Sequence, residues 1–128
     1  MMLFAVSFQI TELKYQTDYN NFLKEHEYSF IKFYQSHCSH CRHLAPRFID
    51  LEDLEPKAAL GAVACEDALW PFCRELEVNA VPTLRLYKGE QFLCEYTSQW
   101  RDPKPMKRWI DKVIAEGCPE PAEPKDEN

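Results

Sequence analysis

Two cysteines three positions apart, Cys38 and Cys41, are the residues of this chain whose spacing best suits chemistry. They follow the apolar residues 30–34 and open a segment with helical spacing. A helix N-terminus carries unpaired N–H groups and partial positive charge, which favour a thiolate over a thiol. Because the thiolate is the nucleophile, Cys38 is predicted to be reactive. Cys41 lies one turn later, near enough to form a disulfide, so the spacing predicts dithiol–disulfide exchange.

His40 lies between the two cysteines, and His37 and His43 flank them. A protonated His40 stabilises the Cys38 thiolate, and stabilising the reduced pair makes its disulfide more oxidising. His37 and His43 add positive potential if they face the thiol. A solvated surface position is the simpler interpretation of both, more firmly for His43.

The same histidines and cysteines are potential metal ligands, so a metal site is the first alternative. Zinc sites usually draw on two separated ligand pairs. The second pair would have to be Cys65 and Cys73, whose spacing is too wide for a zinc knuckle. Haem attachment needs a histidine directly after the second cysteine, and Arg42 stands there. We therefore predict no metal, and no cofactor beyond the cysteines themselves.

Composition bounds the class of protein. The chain has 128 residues, of which 45% are hydrophobic, and this length predicts one domain with a single core. A net charge of −6 argues against nucleic acid or an anionic membrane as the main partner. No apolar run reaches the length that spans a bilayer. The 6 cysteines are many for a cytosolic chain of this size and favour an oxidising compartment.

Hydrophobic periodicity predicts the elements that position the cysteines. Pro46 falls inside the helix after Cys41 and is expected to kink it, because proline lacks an N–H and crowds the preceding turn. The order βαβαβαββα predicts an α/β fold, a mixed sheet with helices on both faces. The predicted strands cover residues 6–11, 29–34, 60–65, 84–87 and 92–94, and the predicted helices are one capped by Thr17 or Asp18 and those over residues 41–54, 71–76 and 106–116.

The two ends of the chain differ from its middle. Residues 118–128 are rich in proline and glutamate, which predicts a flexible tail after a domain that covers residues 1–117. The first six residues are apolar but lack a basic region, and Gln9 and Glu12 interrupt the apolar stretch. This start is a poor signal peptide, with a clipped leader or a first strand as the alternatives.

The motif FYQSHCSHCRHLAP at residues 33–46 resembles the active-site signature of protein disulfide isomerase domains in the thioredoxin superfamily. VPTL at residues 81–84 resembles the cis-proline loop of that family, and KGE at residues 88–90 resembles its hairpin turn. The match extends in order over roughly residues 8–116, which makes the combination specific. The resemblance implies a thioredoxin fold, with a central mixed five-stranded sheet in the order 1-3-2-4-5 flanked by four helices.

The resemblance also implies roles for residues outside the cysteine pair. A cis Pro82 would hold the backbone of Val81 against the Cys38 sulfur, free to pair with an extended substrate. His37 stands where the family has a tryptophan and is expected to shape the substrate surface. Arg101 resembles an arginine that swings toward the second cysteine and lowers its pKa. An extra residue and Trp100 disturb that spacing, so a surface arginine is the alternative.

Lys32 stands where the family has a buried acid. On its strand it points with Phe30 and Tyr34, toward the face expected beneath the cysteines. If Lys32 is buried, its pKa should fall. It would then act as a neutral amine base for Cys41, or as a cation that stabilises the thiolate pair. The alternatives are that it reaches solvent with no role, and that the missing carboxylate slows release of the mixed disulfide.

The other four cysteines are expected to have no catalytic role. Some domains of the family carry a structural disulfide comparable to Cys65–Cys73, and the resemblance implies one here. Cys94 and Cys118 lie far apart in the sequence. We expect them to be free or to form intermolecular bonds rather than to pair with each other.

The resemblance implies a monomeric oxidoreductase that forms or isomerises disulfides in unfolded secretory-pathway proteins. Its second partner would be an upstream thiol oxidase or glutathione, and its compartment the lumen of the endoplasmic reticulum. The last four residues, KDEN, differ from the KDEL retrieval signal at one position and favour the same compartment. The alternatives are a redox-weak module that binds client proteins and a thioredoxin-like reductase. His40 and the additional cysteines count against the reductase.

Overall fold

A computed structural model describes residues 10–119, and its centre is one mixed five-stranded sheet. The strands lie in the order β1-β3-β2-β4-β5, with β1, β2 and β3 parallel and β4 and β5 antiparallel to their neighbours. This architecture confirms the predicted fold class, sheet order and four helices. The strands are β1 Thr11–Glu12, β2 Tyr28–Tyr34, β3 Ala59–Ala64, β4 Thr83–Lys88 and β5 Gln91–Glu95, and the helices are α1 Gln16–Glu25, α2 Ser39–Asp53, α3 Trp70–Glu75 and α4 Pro103–Glu116, with a 3₁₀ turn over Asp67–Leu69.

Two helix starts differ from the prediction. The cap expected at Thr17 or Asp18 is wrong, because α1 already begins at Gln16 and Asp18 lies within its first turn. The Asp18 carboxylate accepts the backbone N–H of Tyr15 at 3.1 Å, which satisfies a donor at the helix start. Helix α4 begins three residues before Met106, at Pro103, because proline fits the first turn. Of the predicted first strand, residues 6–9 lie outside the described part of the chain.

Apolar side chains of the sheet point to both of its faces, because helices cover both faces. Along β2, Phe30 packs with α2 and α4, whereas Ile31 and Phe33 pack with α1 and α3. Helix α2 continues through Pro46 and keeps Leu44 and Phe48 buried against the sheet. Both faces of β2 are therefore covered, and its carboxyl end leads directly into the cysteine motif. Within residues 10–119, no helix is long and apolar enough to cross a bilayer.

Two disulfides lie outside the motif. Cys65 and Cys73 are joined, with their Cα atoms 5.7 Å apart. Cys94 and Cys118 are also joined, at a Cα separation of 6.0 Å, so the expectation that these two stay unpaired is wrong. Helix α4 ends at Gly117, whose φ of 91° and whose N–H bond to the Val113 carbonyl turn the chain. Cys118 thereby reaches β5 despite the long sequence separation.

Candidate active site

Cys38 is the N-cap of α2. Its sulfur accepts the backbone N–H of Cys41 at 3.2 Å, and its carbonyl accepts the N–H of Arg42 at 3.1 Å. Both cysteines of the motif are free thiols, Cys38 half-buried and Cys41 buried. The N–H donor and the positive end of the helix stabilise negative charge on the Cys38 sulfur, which is the more accessible of the two.

The loop before β4 reaches the same sulfur from a distant part of the chain. The Cys38 thiol donates to the Val81 carbonyl at 3.7 Å, and the Val81–Pro82 peptide bond is cis. The Thr83 hydroxyl donates to the Ala80 carbonyl at 2.6 Å and fastens this loop. Cys38, Val81 and Pro82 therefore meet at one edge of the sheet, where backbone groups of Val81 stand beside the reactive sulfur.

Cys41 lies behind Cys38, with 3% of its surface exposed. Burial, together with the neighbouring Cys38 thiol, raises the pKa of Cys41 to about 11, and the charge of Lys32 opposes this rise. Cys41 therefore keeps its proton near neutral pH, because its thiolate lacks water around it. Any reaction in which Cys41 acts as a nucleophile needs an acceptor for that proton.

Lys32 is buried beneath this pair, with 7% of its surface exposed. Its Nζ lies 4.8 Å from the Tyr34 ring centroid and 5.1 Å from that of Phe48 in α2. Burial lowers the pKa of Lys32, whereas the charges of Glu12 and Cys41 raise it. The alternative that Lys32 extends into solvent is therefore wrong. The charge of Lys32 instead acts on Cys41.

Glu12 is a charged neighbour of Lys32 that the sequence analysis did not include in the site. Its carboxylate accepts the hydroxyl hydrogen of Tyr34. Burial of Tyr34 and this hydrogen bond raise the tyrosine's pKa. The sequence indicates Glu12 only as an interruption of the apolar start, because nothing in a two-residue strand indicates its sheet partner.

A second missed contact fastens the loop in front of Cys38. One carboxylate oxygen of Glu66 accepts both the backbone N–H of Ser36 at 2.8 Å and its hydroxyl at 2.6 Å. These hydrogen bonds lower the pKa of Glu66. The Gln35 side chain donates to the Cys65 carbonyl at 2.9 Å. The loop is therefore tied to the segment that carries the Cys65–Cys73 disulfide.

The remaining predicted site residues lie at the surface. His40 is in the first turn of α2 and His37 directly before Cys38, and both are exposed. The charge of His37 acts on Glu66. Arg101 lies between β5 and α4, half-buried, and its Nε lacks a hydrogen-bond partner within residues 10–119. In this arrangement the charge of Lys32 acts on Cys41.

Metal ligation requires side chains that converge, and the histidines of the motif point to no such cluster. Over residues 10–119, no three His, Cys, Asp or Glu side chains are grouped so that they could hold a metal ion.

The sheet order and the free thiols at the start of α2 define a thioredoxin-type dithiol domain. The family model named Thioredoxin matches residues 9–112, and the chain belongs to the thioredoxin family.

The chain resembles a thioredoxin domain-containing protein and a protein disulfide-isomerase. It is 31% identical over 88 residues to the thioredoxin domain-containing protein 5 homolog of Drosophila melanogaster, covering 66% of this chain and 21% of that protein. It is 30% identical over 112 residues to protein disulfide-isomerase A5 of Mus musculus, covering 81% of this chain and 20% of that protein. The chain thus spans about a fifth of these relatives. Their similarity supports thiol–disulfide oxidoreductase chemistry in general.

Among solved structures, the chain resembles the J-Trx1 fragment of ERdj5, with a TM-score of 0.73 and 24% sequence identity. The match covers 83% of this chain and 52% of that fragment. At this identity the likeness establishes the fold.

Proposed function

We propose that this protein is a thiol–disulfide oxidoreductase that forms or isomerises disulfides in secretory-pathway proteins through Cys38 and Cys41. The observation that carries the proposal is the position of Cys38. Its sulfur caps α2, accepts a hydrogen bond from the backbone N–H of Cys41 and lies against the Val81 carbonyl. The Cys41 side chain is buried one turn further along the helix. The relatives named as protein disulfide-isomerases support the same chemistry.

The oxidative reaction proceeds by two exchanges. A client thiolate attacks the sulfur of Cys38 in the Cys38–Cys41 disulfide, and the old bond breaks with its electron pair on Cys41, which then takes a proton. A second client thiolate attacks the client sulfur of the mixed disulfide and releases Cys38 as a thiolate. The client gains a disulfide and the pair gains two electrons. An upstream thiol oxidase or glutathione disulfide removes these electrons again.

Isomerisation starts from the reduced pair. The Cys38 thiolate attacks a non-native client disulfide and forms a mixed disulfide, from which a different client thiol displaces Cys38. When no client thiol arrives, Cys41 attacks Cys38 and releases the client in reduced form. Because Cys41 is buried and protonated near neutral pH, this escape requires that Cys41 first lose its proton.

The surrounding residues divide the other tasks. We assign to protonated His40 the stabilisation of the Cys38 thiolate, and to Val81 and Pro82 the pairing with an extended client segment. His37 lies beside that segment. Lys32 either accepts the Cys41 proton or, as a cation, balances the charge of the Cys41 thiolate. Arg101 is a candidate second cation for the same thiol.

The proposed compartment is the lumen of the endoplasmic reticulum, and the proposed clients are unfolded or partly folded proteins with cysteines. The disulfides Cys65–Cys73 and Cys94–Cys118 support an oxidising compartment, where such bonds persist. We propose that the protein acts as a monomer.

Glutathione equilibration of the cysteine pair tests the function. A reduction potential near roughly −180 mV supports the oxidase and isomerase proposal, whereas roughly −270 mV indicates a reductase. Refolding of a scrambled disulfide protein should depend on the same pair. The control is Cys38→Ser with Cys41→Ser, which keeps the other disulfides and should lose both activities.

Two outcomes contradict the proposal. If the serine control exchanges as fast as the wild type, the reaction comes from another disulfide. If the wild type forms a mixed disulfide with clients but neither transfers nor releases it, the protein is a client-binding module instead.

A further inference from the structure

Glu12 of β1 and Lys32 of β2 lie on either side of one residue of β3, the strand between them. Glu12 pairs with Ala62 of β3, and Ala62 in turn pairs with Lys32 of β2. Adjacent strands lie about 4.8 Å apart, so the Cα atoms of the acid and the base are about 10 Å apart, within reach of two long side chains. The small side chain of Ala62 stands between them.

Tyr34 connects the two charges. Its hydroxyl donates to the Glu12 carboxylate, and its ring lies 4.8 Å from the Lys32 Nζ. The three side chains share the sheet face that α2 covers, as the 5.1 Å distance from Lys32 Nζ to the Phe48 ring shows. They form a connected cluster that runs from buried Lys32 to exposed Glu12.

A cavity of about 340 Å³ opens at the outer end of this cluster. Glu12, Tyr34 and Ser36 line it together with Glu66 and Asp67. A cavity of this size with three carboxylates holds water easily, because each water needs about 30 Å³ and polar partners. The cluster therefore ends at solvent.

We propose that Glu12 is a positioning residue for the resolving step: its carboxylate keeps Lys32 charged, as the cation that stabilises the Cys41 thiolate. This inference rests on the proposed oxidoreductase function and deepens it. Glu12 belongs to β1, whereas Lys32 belongs to β2. Glu12 acts on the Cys41 thiol through Lys32.

The step balances as follows for a mixed disulfide on Cys38. The Cys41 thiol gives its proton to water, and the Cys41 thiolate, stabilised by the Lys32 ammonium, attacks the Cys38 sulfur. A Cys38–Cys41 disulfide forms, and the bond to the ligand breaks with its electron pair on the departing thiolate. Lys32 keeps its proton throughout, and the departing thiolate takes a proton from solvent.

The carboxylate is needed because burial disfavours both the Lys32 ammonium and the Cys41 thiolate. Removing the Cys41 proton leaves a buried anion beside a buried cation, and a nearby carboxylate favours the cation. The groups that face Lys32 are Glu12 from β1, Tyr34 from β2 and Cys41 from α2, while its partners in β3 and β4 are Ala62 and Leu84. Without Glu12, the ion pair is harder to form and Cys41 attacks more slowly.

The test follows the two thiolate releases from the reduced full chain after mixing with excess 5,5′-dithiobis(2-nitrobenzoate). Capture by Cys38 releases the first coloured thiolate in a bimolecular phase, and attack by Cys41 releases the second in a first-order phase. We expect Glu12→Gln to leave capture unchanged. It should slow the second phase at neutral pH about tenfold, which corresponds to one pKa unit, and shift its pH profile upward.

Asp67→Asn is the matched control, since it also exchanges a carboxylate for an amide in the same cavity. Asp67 has a φ of 53°, a conformation that asparagine tolerates, so the control should fold and keep the wild-type second phase. Lys32→Met should slow the second phase at least as much as Glu12→Gln. In the Lys32→Met background, Glu12→Gln should have no further effect, because Glu12 acts through the lysine.

Three results overturn the inference. A Glu12→Gln second phase with the wild-type rate and pH profile removes the carboxylate from the step. Equal slowing by Glu12→Gln with and without Lys32 shows that Glu12 acts by another route. If the wild type itself releases no second thiolate, the proposed function fails together with this inference.

Discussion

The disulfide between Cys94 and Cys118 is expected to contribute strongly to the stability of the fold. It joins β5 to the chain just after α4. With a sequence separation of 24, the closed loop restricts the unfolded chain by about 3.4 kcal/mol at 25 °C on the chain-entropy account. The double variant Cys94→Ser with Cys118→Ser should therefore lose about 3 kcal/mol of unfolding free energy.

Urea unfolding without reductant measures this loss directly. In a domain of this size, a deficit of about 3 kcal/mol corresponds to a fall in Tm of roughly 10–15 °C. Either single serine variant breaks the same bond, so each should lose nearly as much as the double variant. Capture of a disulfide reagent by Cys38 should be unchanged, because the bond lies outside the cysteine motif.

Two results would refute this reasoning. A double variant that unfolds at the wild-type urea concentration would mean that the bond does not restrict the unfolded chain. Alkylation in denaturant, with the active-site pair reduced and no other reductant, should label Cys38 and Cys41 alone. Labelling of Cys94 and Cys118 in that experiment would show that they are not paired.

Three further predictions concern the site. His40→Pro should make the pair more reducing in glutathione equilibration, with a shift of about 30 mV for each 1.4 kcal/mol of lost thiolate stabilisation; an unchanged potential would remove His40 from the chemistry. Because hydrogen bonds from Ser36 hold the Glu66 pKa below its ordinary value, Glu66 stabilises the fold above pH 4.5 and this contribution is lost as pH falls. Glu66→Gln should therefore flatten the acid side of the stability profile, measured by urea unfolding between pH 3 and about 6; a profile parallel to that of the wild type would contradict this. Lys32→Met should raise the unfolding free energy by about 1–3 kcal/mol, since it removes a buried amine, and a less stable variant would mean that the lysine's charge is fully compensated.

Much of the fold follows from short-range patterns. The apolar run before Cys38 and the helical spacing after it predict a strand followed by a helix, and the cap position of Cys38 follows from that junction. The order of the elements predicts helices on both faces of a mixed sheet. These features depend on residues within a few positions of one another, which is why the sequence reports them well. The exact helix starts are less certain because a side chain such as Asp18 can bond back to the cap.

The contacts that complete the site are long-range. Cys38 meets Val81 across 43 positions, and Ser36 meets Glu66 across 30. Such contacts depend on how the strands pair and where the loops return, and apolar periodicity carries no information on either. The resemblance to a known family indicated Val81 and Pro82, but it offered no counterpart for Glu66.

The sequence by itself therefore determined the reactive dithiol, its place at a helix start and the class of fold. The tertiary structure decided that Lys32 is buried, that Glu12 lies two strands away from it in the same register, and that Cys94 pairs with Cys118. The physical reason is the register between β1, β3 and β2, which places Glu12 and Lys32 on either side of Ala62. A strand of two residues has too little pattern to specify that register before the sheet has formed.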